Sequence, residues 1–458
     1  MPQGILELAK NTLLAQQVAM QVVGHNVANA QTEGYVRQVP VMEPIPGATW
    51  GSAAYSVGQG AQVTQIRRLQ NAFTAVQLDR QAALLGHDSA IADTLSQVEA
   101  IFTEFDESGI ADALGEMFAS FEQIGTDPAN LAARQEAVVR AQLVADMISG
   151  RQDSLQQLRT EVDQRLSDAV REANRLAQQI ADLNKQIGAA GDTAVVNDLK
   201  SLRETAMSRL AELTGAYCIE QSNGQIDVMI GGRRMVQGTE VIQLGLELDS
   251  ANPGMHNVCL GSVADPDGLG GTLQGLLDVR DGQIVDYISR LDTFAQTLAD
   301  AVNVQHRSGL DMYGTEGEDF FTYDPAGAAS SLQVSAAIQA DPKLIAAAGS
   351  VGAVGDGSNA SEMAQLRDAK LFTGGLLNAG EYYADLIGQM GTDAKAATDA
   401  VAVRETIVAQ LKADYQGRSG VSLDEEAADL LRYQQVYNAA ARLLQVSQQM
   451  MDALFAIS

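Results

Sequence analysis

The sequence is poor in aromatic residues and in cysteine, and both shortages limit what the chain can be. Aromatic side chains make up 5% of the 458 residues, and Trp50 is the only tryptophan. This composition suits long alanine-rich helices better than a thick globular core. The two cysteines, Cys218 and Cys259, are too few for a disulfide framework and lack metal-site spacing. They could pair with each other, but we expect two free, buried thiols.

Basic side chains are also scarce. There are 30 of them against 58 acidic ones, which gives a formal net charge of -28. Such a chain would repel nucleic acid, so we expect no nucleic-acid partner. The same charge would keep the monomers of an assembling protein soluble before they meet.

Long apolar runs are absent as well. The N-terminus has neither the basic region nor the continuous apolar stretch of about 7–15 residues that a secretory signal requires. No apolar run approaches about 20 residues, so we expect no membrane-spanning helix and no membrane partner. The chain is therefore expected either to stay in the cytoplasm or to leave by a route that reads no cleaved signal.

No pattern of residues points to catalysis, a cofactor or a metal. The four histidines are scattered without metal-ligand spacing, and a G-x-S-x-G nucleophile elbow is missing. The glycines of segment 268–275 do not match G-x-G-x-x-G, because Leu273 stands at the third glycine position. The acidic residues of segment 311–319 lack the spacing of an EF-hand loop. We predict a flexible junction in the first segment and a solvated turn in the second.

The sequence does contain a seven-residue apolar repeat at each end. Such a repeat forms an a/d seam that packs against a partner helix. We predict that segment 1–62 pairs with segment 421–458, and that these weak terminal seams finish folding only on assembly. The predicted seam residues are Leu6, Leu13, Met20, Val27, Leu423, Leu430, Tyr437, Leu444 and Met451. The interleaved positions are Ala9, Gln16, Val23, Tyr433, Ala440, Ser447 and Leu454.

Between the two ends, helical periodicity dominates. The longest predicted helix runs from about Asn130 to Ile187, and about 55 residues would span roughly 80 Å. This length implies a rod-shaped body, assigned to segments 63–215 and 273–420 with a reduced outer loop at 321–362. Helices are also predicted at 69–125, 199–213, 273–306, 362–371, 379–390 and 392–415. Asp127-Pro128 marks a break and a restart.

Two segments have the character of β-structure. Proline and glycine rule out a long helix in segment 31–62, where extended pieces are predicted at Tyr35–Met42 and Ala61–Ile66. In segment 216–272, Asn223-Gly224 predicts a hairpin, followed by strands up to Leu246 and a loop from 251 to 271. The predicted fold class is mainly α with a small β insert. It comprises a coiled-coil unit of the terminal helices, a rod-like bundle of long helices and a small β-rich outer domain.

The C-terminal helix has a defined start. Ser422, followed three residues later by Glu425, has the pattern of a capping box, and Asp424 adds negative charge to the first turn. We therefore predict that this helix begins directly after Ser422.

Several short motifs resemble those of the flagellar axial proteins, the family of rod, hook and hook-associated proteins. The motif residues are Asn26, Asn29, Gly34, Tyr35, Arg37 and Gln38 near the start and Ser422, Asp424 and Glu425 near the end. Asparagine and glycine suit positions that end a helix and turn the chain. Asp127-Pro128 with segment 133–135, and Gln305-His306 with segment 309–321, narrow the resemblance to the hook-associated protein 1 family.

The resemblance implies a structural role without catalysis. Members of that family are exported unfolded through the flagellar type III channel and add to the distal end of the hook. Their terminal helices form a coiled coil that lines the inner core. The implied partners are other copies of the chain, the hook protein, the next junction protein (hook-associated protein 3), the filament, and an export chaperone on the C-terminal helix. The implied location is the extracellular hook–filament junction.

The chain departs from the larger members of that family in one respect. Those members carry bulky domains between the acidic turn and the C-terminal helices, where this chain has only segment 321–362, rich in alanine, glycine and serine. The runner-up interpretation is a hook or rod subunit, because the N-terminal motif alone does not distinguish the two. A secreted enzyme on a flagellar scaffold is the third, although segment 217–262 supplies neither paired carboxylates nor a metal triad.

Overall fold

The computed structural model describes residues 2–32, 34–47, 58–103, 109–190, 194–250, 252–264, 268–351 and 355–457. Trp50, part of the predicted helix 69–125 (residues 104–108) and the side chain of Leu454 lie outside this description. The α-helices are α1 (Pro2–Ala28), α2 (Ala72–Phe102), α3 (Ile110–Thr126), α4 (Leu131–Ala190), α5 (Ala194–Thr214), α6 (Gly271–Asp278), α7 (Ile284–Arg307), α8 (Ala328–Ser331), α9 (Ala336–Ala340), α10 (Ser358–Gln365), α11 (Ala379–Ser419) and α12 (Leu423–Ile457).

The strands are short and form small antiparallel sheets. They are β1 (Gln38–Pro44), β2 (Ala61–Arg68), β3 (Tyr217–Glu220), β4 (Ile226–Ile230), β5 (Arg233–Gln237), β6 (Glu240–Val241), β7 (Leu244–Leu248), β8 (His256–Leu260), β9 (Val263–Ala264), β10 (Phe321–Thr322) and β11 (Gln333–Val334). Sheet orders are β1-β2, β3-β4-β5-β6, β7-β8-β9 and β10-β11. The predicted fold class, mainly α with a small β insert, is confirmed.

Helix α4 is the spine of the body, by which we mean α2 to α11 with β3 to β11. It has 60 residues, and at 1.5 Å per residue it extends about 90 Å. The heptad residues Leu155, Val162, Leu176 and Leu183 are all buried along it, and Ala169 packs at the edge of the core. Helices α3, α5, α6 and α7 pack against α4. The predicted rod of long helices is therefore confirmed.

The predicted helix 273–306 contains a π-helical turn at Val279–Gln283, between α6 and α7. Arg280 in this turn is fully buried and donates hydrogen bonds to the Asp163 carboxylate and the His256 carbonyl oxygen. A π turn adds one residue to the helical period. In a regular helix, this face would continue the apolar stripe. The π turn instead places the charged side chain of Arg280 there.

Helix α11 corrects the prediction of two helices at 379–390 and 392–415. It is a single helix of 41 residues, and Gly388 and Gly391 lie within it. A capping box opens the helix: the Asn378 side chain accepts from the Glu381 N–H, and the Glu381 carboxylate accepts from the Asn378 N–H. Glycine weakens a helix by only about 1 kcal/mol, and packing along α2 compensates.

The β insert is larger than predicted. The hairpin at Asn223-Gly224 is confirmed as the β3–β4 connection. Strands β8 and β9, however, lie in the segment predicted to be a loop, where β8 pairs with β7 from Leu244 to Leu248. Both cysteines are free, but Cys218 is exposed, so only Cys259 fits the expected buried thiol.

The two ends of the chain form one structure, the terminal unit, made of α1, the β1–β2 hairpin and α12. Helix α1 packs against α12 along its length and against both strands of the hairpin. The predicted packing of the two terminal helices is therefore confirmed. Each seam finds its partner within the same chain, and that the two seams finish folding only on assembly stays a prediction.

Candidate assembly site

The seam between α1 and α12 is centred on the residues that the sequence places between the main repeat. On α1, Ala9, Gln16 and Val23 are buried, as are Ala440 and Ser447 on α12. The main repeat flanks this centre instead of forming it. Half-buried members are Leu6, Leu13, Met20, Leu430, Leu444 and Met451, and exposed members are Val27, Leu423 and Tyr437.

Small side chains at the centre explain this register. Ala9, Ala15 and Ala19 on α1 and Ala440 and Ser447 on α12 are all buried, and small side chains of this kind let helix backbones approach closely. Leucine and methionine then cover the sides of the contact. The repeat predicts which two columns of residues make the seam, and the burial of their side chains shows that the interleaved column lies at its centre.

A polar cluster, the clasp, fastens the base of the seam. The Arg37 guanidinium donates to Glu426 at 2.6 Å, to Glu425 at 2.5 Å and to Asp429 at 3.3 Å, all on the first turns of α12. Burial alone would lower the pKa of Arg37, but Glu426 and Glu425 raise it above its ordinary value. Glu426 is 1% exposed, so its charge is compensated almost entirely by the clasp.

Asn26 is the hub of the clasp. Its side-chain amide donates to the Gln38 carbonyl at 2.8 Å and to Glu426 at 3.0 Å, and its oxygen accepts from the Gln38 N–H and the Tyr35 hydroxyl. Burial and the charges of Asp198 and Glu426 raise the pKa of Tyr35, which keeps its hydroxyl a donor. An aliphatic residue in place of Asn26 can neither donate nor accept, so all of these hydrogen bonds would be lost.

The chain turns sharply between α1 and β1. The Asn29 side chain donates to the His25 carbonyl at 3.0 Å and accepts from Thr32, which closes the end of the helix. Gly34 has φ +75°, and a Cβ there would overlap the Thr205 side chain of α5. Both the left-handed backbone and the close approach require glycine.

At the C-terminal motif the structure differs from the predicted capping box. Helix α12 does begin at Leu423, and the Glu426 N–H donates to the Ser422 carbonyl. The Glu425 carboxylate, however, bonds Arg37 instead of the helix start. Ser422 and Asp424 are exposed. A distant arginine competes with the local cap, and local spacing gives no sign of it.

Sequence reasoning missed Glu426, which is the most buried acid of the clasp. One feature of the sequence could have indicated it. The acidic triplet Asp424-Glu425-Glu426 begins a helix, and the segment predicted to pair with that helix contains Arg37. Helical periodicity could have placed Glu426 on the face of the interleaved column, seven residues before Tyr433. The charge made that position look like solvent-facing surface.

Polar contacts join the terminal unit to α5 of the body. Arg68 on β2 pairs with Glu204, and the Gln38 side chain donates to Asp198 at 2.9 Å. Asn197 donates to the Ile66 carbonyl oxygen at 2.8 Å. This junction contains several directional bonds, and these fix the position of the hairpin on the body.

A second apolar stripe, the outer stripe, runs along α12 beside the seam and faces solvent. Its members are Val436, Ala439, Leu443, Val446 and Met450, and all are exposed. They alternate three and four residues apart, which is the spacing of a coiled-coil face. A single chain therefore satisfies one seam of α12 and leaves another without a partner among the described residues.

The two remaining motifs meet at the far end of the body. Buried Arg134 donates to the Pro128 and Ile345 carbonyl oxygens. His306 is fully buried: its Nδ1 lies 2.6 Å from the Glu318 carbonyl oxygen, and its Nε2 accepts from the Ala346 N–H at 2.9 Å. Burial lowers the pKa of His306 to about 4. Its bonding fixes the neutral tautomer with the proton on Nδ1.

Metal sites and membrane spans are other kinds of site that the described residues could supply. No group of three or more His, Cys, Asp or Glu side chains in them is placed to hold a metal ion. In the same ranges, no helix has both the length and the apolar character needed to cross a membrane. Within this part of the molecule, the clasp and the two stripes of α12 are the features that call for a function.

Family comparisons match the chain in three segments. A family model described as the flagellar hook-associated protein FlgK helical domain matches residues 95–321. One described as the flagellar basal body rod FlgEFG protein C-terminal matches residues 413–457, and one described as flagella basal body rod protein matches residues 6–35. The last two cover most of α12 and α1 with its turn.

Relatives span nearly the whole chain. The flagellar hook-associated protein 1 of Bacillus subtilis (strain 168) is 28% identical over 98% of this chain and 96% of its own length. That of Escherichia coli (strain K12) is 24% identical over 99% of both. The solved structure of the flagellar hook junction protein FlgK from Burkholderia pseudomallei matches with a TM-score of 0.67 at 18% identity, over 76% of this chain and all of that one.

Proposed function

We propose that the chain is a structural adaptor of the bacterial flagellum, a role that its likeness to the flagellar hook-associated protein 1 of several bacteria over nearly its whole length supports. In this role it assembles at the distal end of the hook and joins hook to filament through its terminal helices. The observation that carries the proposal is the outer stripe of α12, which lies beside a seam already closed by α1. A helix with one satisfied and one open seam is suited to a polymer of identical units.

The proposal includes the partners and the route implied by the family. Copies of the chain contact each other, the hook protein, hook-associated protein 3 and the filament, outside the cell. An export chaperone holds α12 before secretion through the flagellar type III channel. The role involves no catalysis, cofactor, nucleic acid or membrane.

Gene deletion in the host tests this role directly. We expect bare hooks in electron micrographs and filament protein leaking into the medium. Absent hooks would instead assign the chain to the rod or hook. This alternative is supported by the matches of both terminal segments to rod-protein models. Normal filaments would contradict both assignments.

A matched pair of substitutions tests the outer stripe. Leu443→Asp places a charge in the proposed contact and should abolish assembly, while the melting temperature of the monomer stays unchanged because Leu443 is exposed. Gln445→Asp, on an exposed polar position two residues away, is the control and should assemble normally. Normal assembly of Leu443→Asp would remove the outer stripe from the mechanism.

A substitution of the half-buried Leu444, on the adjacent face of α12, should affect the monomer as well as assembly. Leu444→Asp introduces the same charge into the α1–α12 seam, so it should loosen the monomer as well as prevent assembly. Faster hydrogen exchange of α12 in the isolated monomer is the expected readout. Unchanged exchange would mean that α1 does not protect this face in solution.

A further inference from the structure

An open cleft of about 1670 Å³ lies where the terminal unit meets the body. Its walls come from the turn after α1, strand β2, the first half of α2, helix α5, the start of the β insert and the end of α11. Of the clasp only Tyr35 reaches the lining, and no residue of the outer stripe does, so the adaptor mechanism proposed above makes no use of the cleft.

The charge of this cleft is opposite to that of the chain. The basic side chains that line it are Arg67, Arg68, Lys200, Arg203, Arg209 and Lys412. The acidic side chains are Asp79, Glu204, Glu212 and Glu220. The basic ones are in the majority, although the whole chain has almost twice as many acidic as basic side chains.

Internal ion pairs leave a positive surplus in the cleft. Glu204 forms an ion pair with Arg68, and Glu212 forms one with Arg209. Arg67 and Lys200 make no ion pair with any other described residue. Arg203 is buried, and its guanidinium bonds the Asn184 side chain and the Gly224 carbonyl oxygen, neither of which is charged.

A half-buried carboxyl adds to this surplus. Asp79 accepts a hydrogen bond from Ser208, and burial followed by the nearby Glu204 raises the pKa of Asp79 to about 6. Close to neutral pH a fraction of this group therefore carries no charge. Among the described residues, Glu220 is the remaining acid that the basic side chains of the cleft have to balance.

Assembly of identical chains raises an electrostatic problem. Each copy carries a net charge of -28, so most surfaces of two copies repel each other. Repulsion is smallest where a positive region of one copy meets a negative region of the next, and complementary charge of this kind also fixes the register of association. The cleft combines a concave shape with a positive surplus at the base of the terminal unit.

We propose that this cleft receives a carboxylate-bearing segment from a second copy of the chain. The inference rests on the proposed assembly of copies and adds to it a contact between the bodies of neighbouring subunits. Lys200 and Arg67, which have no acidic partner in their own chain, supply the first contacts. The contact is heterologous, so each copy offers its cleft to one neighbour and its acidic segment to another.

Carbodiimide cross-linking of the full-length chain tests the proposal, because this reagent joins an amine to a carboxylate in direct contact with it. Equal amounts of nitrogen-15-labelled and unlabelled chain are assembled, cross-linked and analysed by mass spectrometry. We expect mixed-isotope cross-links at Lys200. The control is Lys185, an exposed lysine of α4 outside the cleft, which should give few or none.

Charge reversal gives a second, independent measurement. Lys200→Glu combined with Arg67→Glu should slow assembly at least tenfold at low salt and remove most of its salt dependence, with an unchanged melting temperature. Lys185→Glu should change the rate less than twofold. Assembled chains without mixed-isotope cross-links at Lys200 and with no effect of the reversal would overturn the cleft contact while leaving the adaptor role intact. Chains that never associate would overturn both.

Discussion

In the body, α4 buries many leucine, isoleucine and valine side chains together with alanines, whereas in the terminal unit the centre of the α1–α12 seam consists of alanine, serine and glutamine with the single valine Val23. The larger apolar side chains of α12 lie beside this contact or on the outer stripe. The body is thus stabilised mainly by its own apolar core. The terminal unit relies on the clasp and on close packing, and keeps apolar surface free for a partner.

Under the proposed function, this difference lets one chain be stable by itself and still offer an apolar face to a neighbour. Burying a large apolar side chain contributes about 1.5–3 kcal/mol, so the body gains most of its stability without a neighbour. A seam of small residues contributes less, and the polar clasp sets its register. Four predictions test this division, in order of decreasing expected effect.

The largest effect is expected in the body. Phe294 stacks among Phe372, Tyr382 and Tyr383 and is fully buried. Phe294→Ala should lower the free energy of unfolding by about 3–5 kcal/mol, measured by denaturant titration. The control Val403→Ala, on an exposed position of α11, should change it by less than about 0.5 kcal/mol. Similar losses for both variants would contradict the central role of the apolar core.

A local effect is expected in the terminal unit. Arg37→Gln leaves the buried Glu426 without its cation, which should cost about 3 kcal/mol of local stability. Amide hydrogen exchange should rise throughout α12 but not in α4. Arg171→Gln, which breaks an exposed pair with Asp168, serves as the control with an effect below about 0.5 kcal/mol. Equal protection of α12 in both variants would show that the clasp is dispensable.

Acid should weaken the far end of the body. The pKa of His306 is lowered from 6.5 to about 4, so the unfolded chain binds a proton that the folded chain excludes in this range. Stability should therefore fall by about 3 kcal/mol as the pH drops from about 6.5 to about 4. His306→Asn should be less stable at pH 7 but should show a flatter dependence over this window. An unchanged slope would assign the acid sensitivity to other groups.

A smaller effect of opposite sign is expected at Asp79, in the cleft between the two regions. Its folded pKa is raised from 3.8 to about 6, so its charged form costs stability above about pH 6, and the cost disappears as the pH falls toward 3.8. Asp79→Asn keeps an acceptor for Ser208 and should stabilise the protein by roughly 2 kcal/mol at pH 7.5. The gain should vanish near pH 4. A loss of stability at pH 7.5 would mean that the charge is needed.

The sequence predicts the long elements of this molecule well, and for a physical reason. The start of α4 after Asp127-Pro128 and the two terminal helices follow from periodicity over many residues, where local and tertiary preferences agree. Segments β8 and β9 were missed because their strands are short and gain their stability from pairing with β7. The π turn at Arg280 was missed because its cause is a partner on α4.

The candidate site was predicted in part. The motif residues Asn26, Tyr35, Arg37 and Gln38 do come together, and Glu425 joins them. Their function in assembly stays a prediction. The repeat does not show which column of residues lies at the centre of the seam, because both columns contain apolar residues such as Leu and Ala. The choice between the two columns depends on how closely the helices pack.

The hydrogen bond between Asn26 and Glu426 joins residues 400 positions apart in the sequence. During synthesis the first helix emerges long before its partner exists, since domains fold as the chain appears from its N-terminus. Helix α1 must therefore remain without its seam for nearly the whole time that the ribosome needs to make the protein. A chain that stops before α12 therefore cannot close the terminal unit.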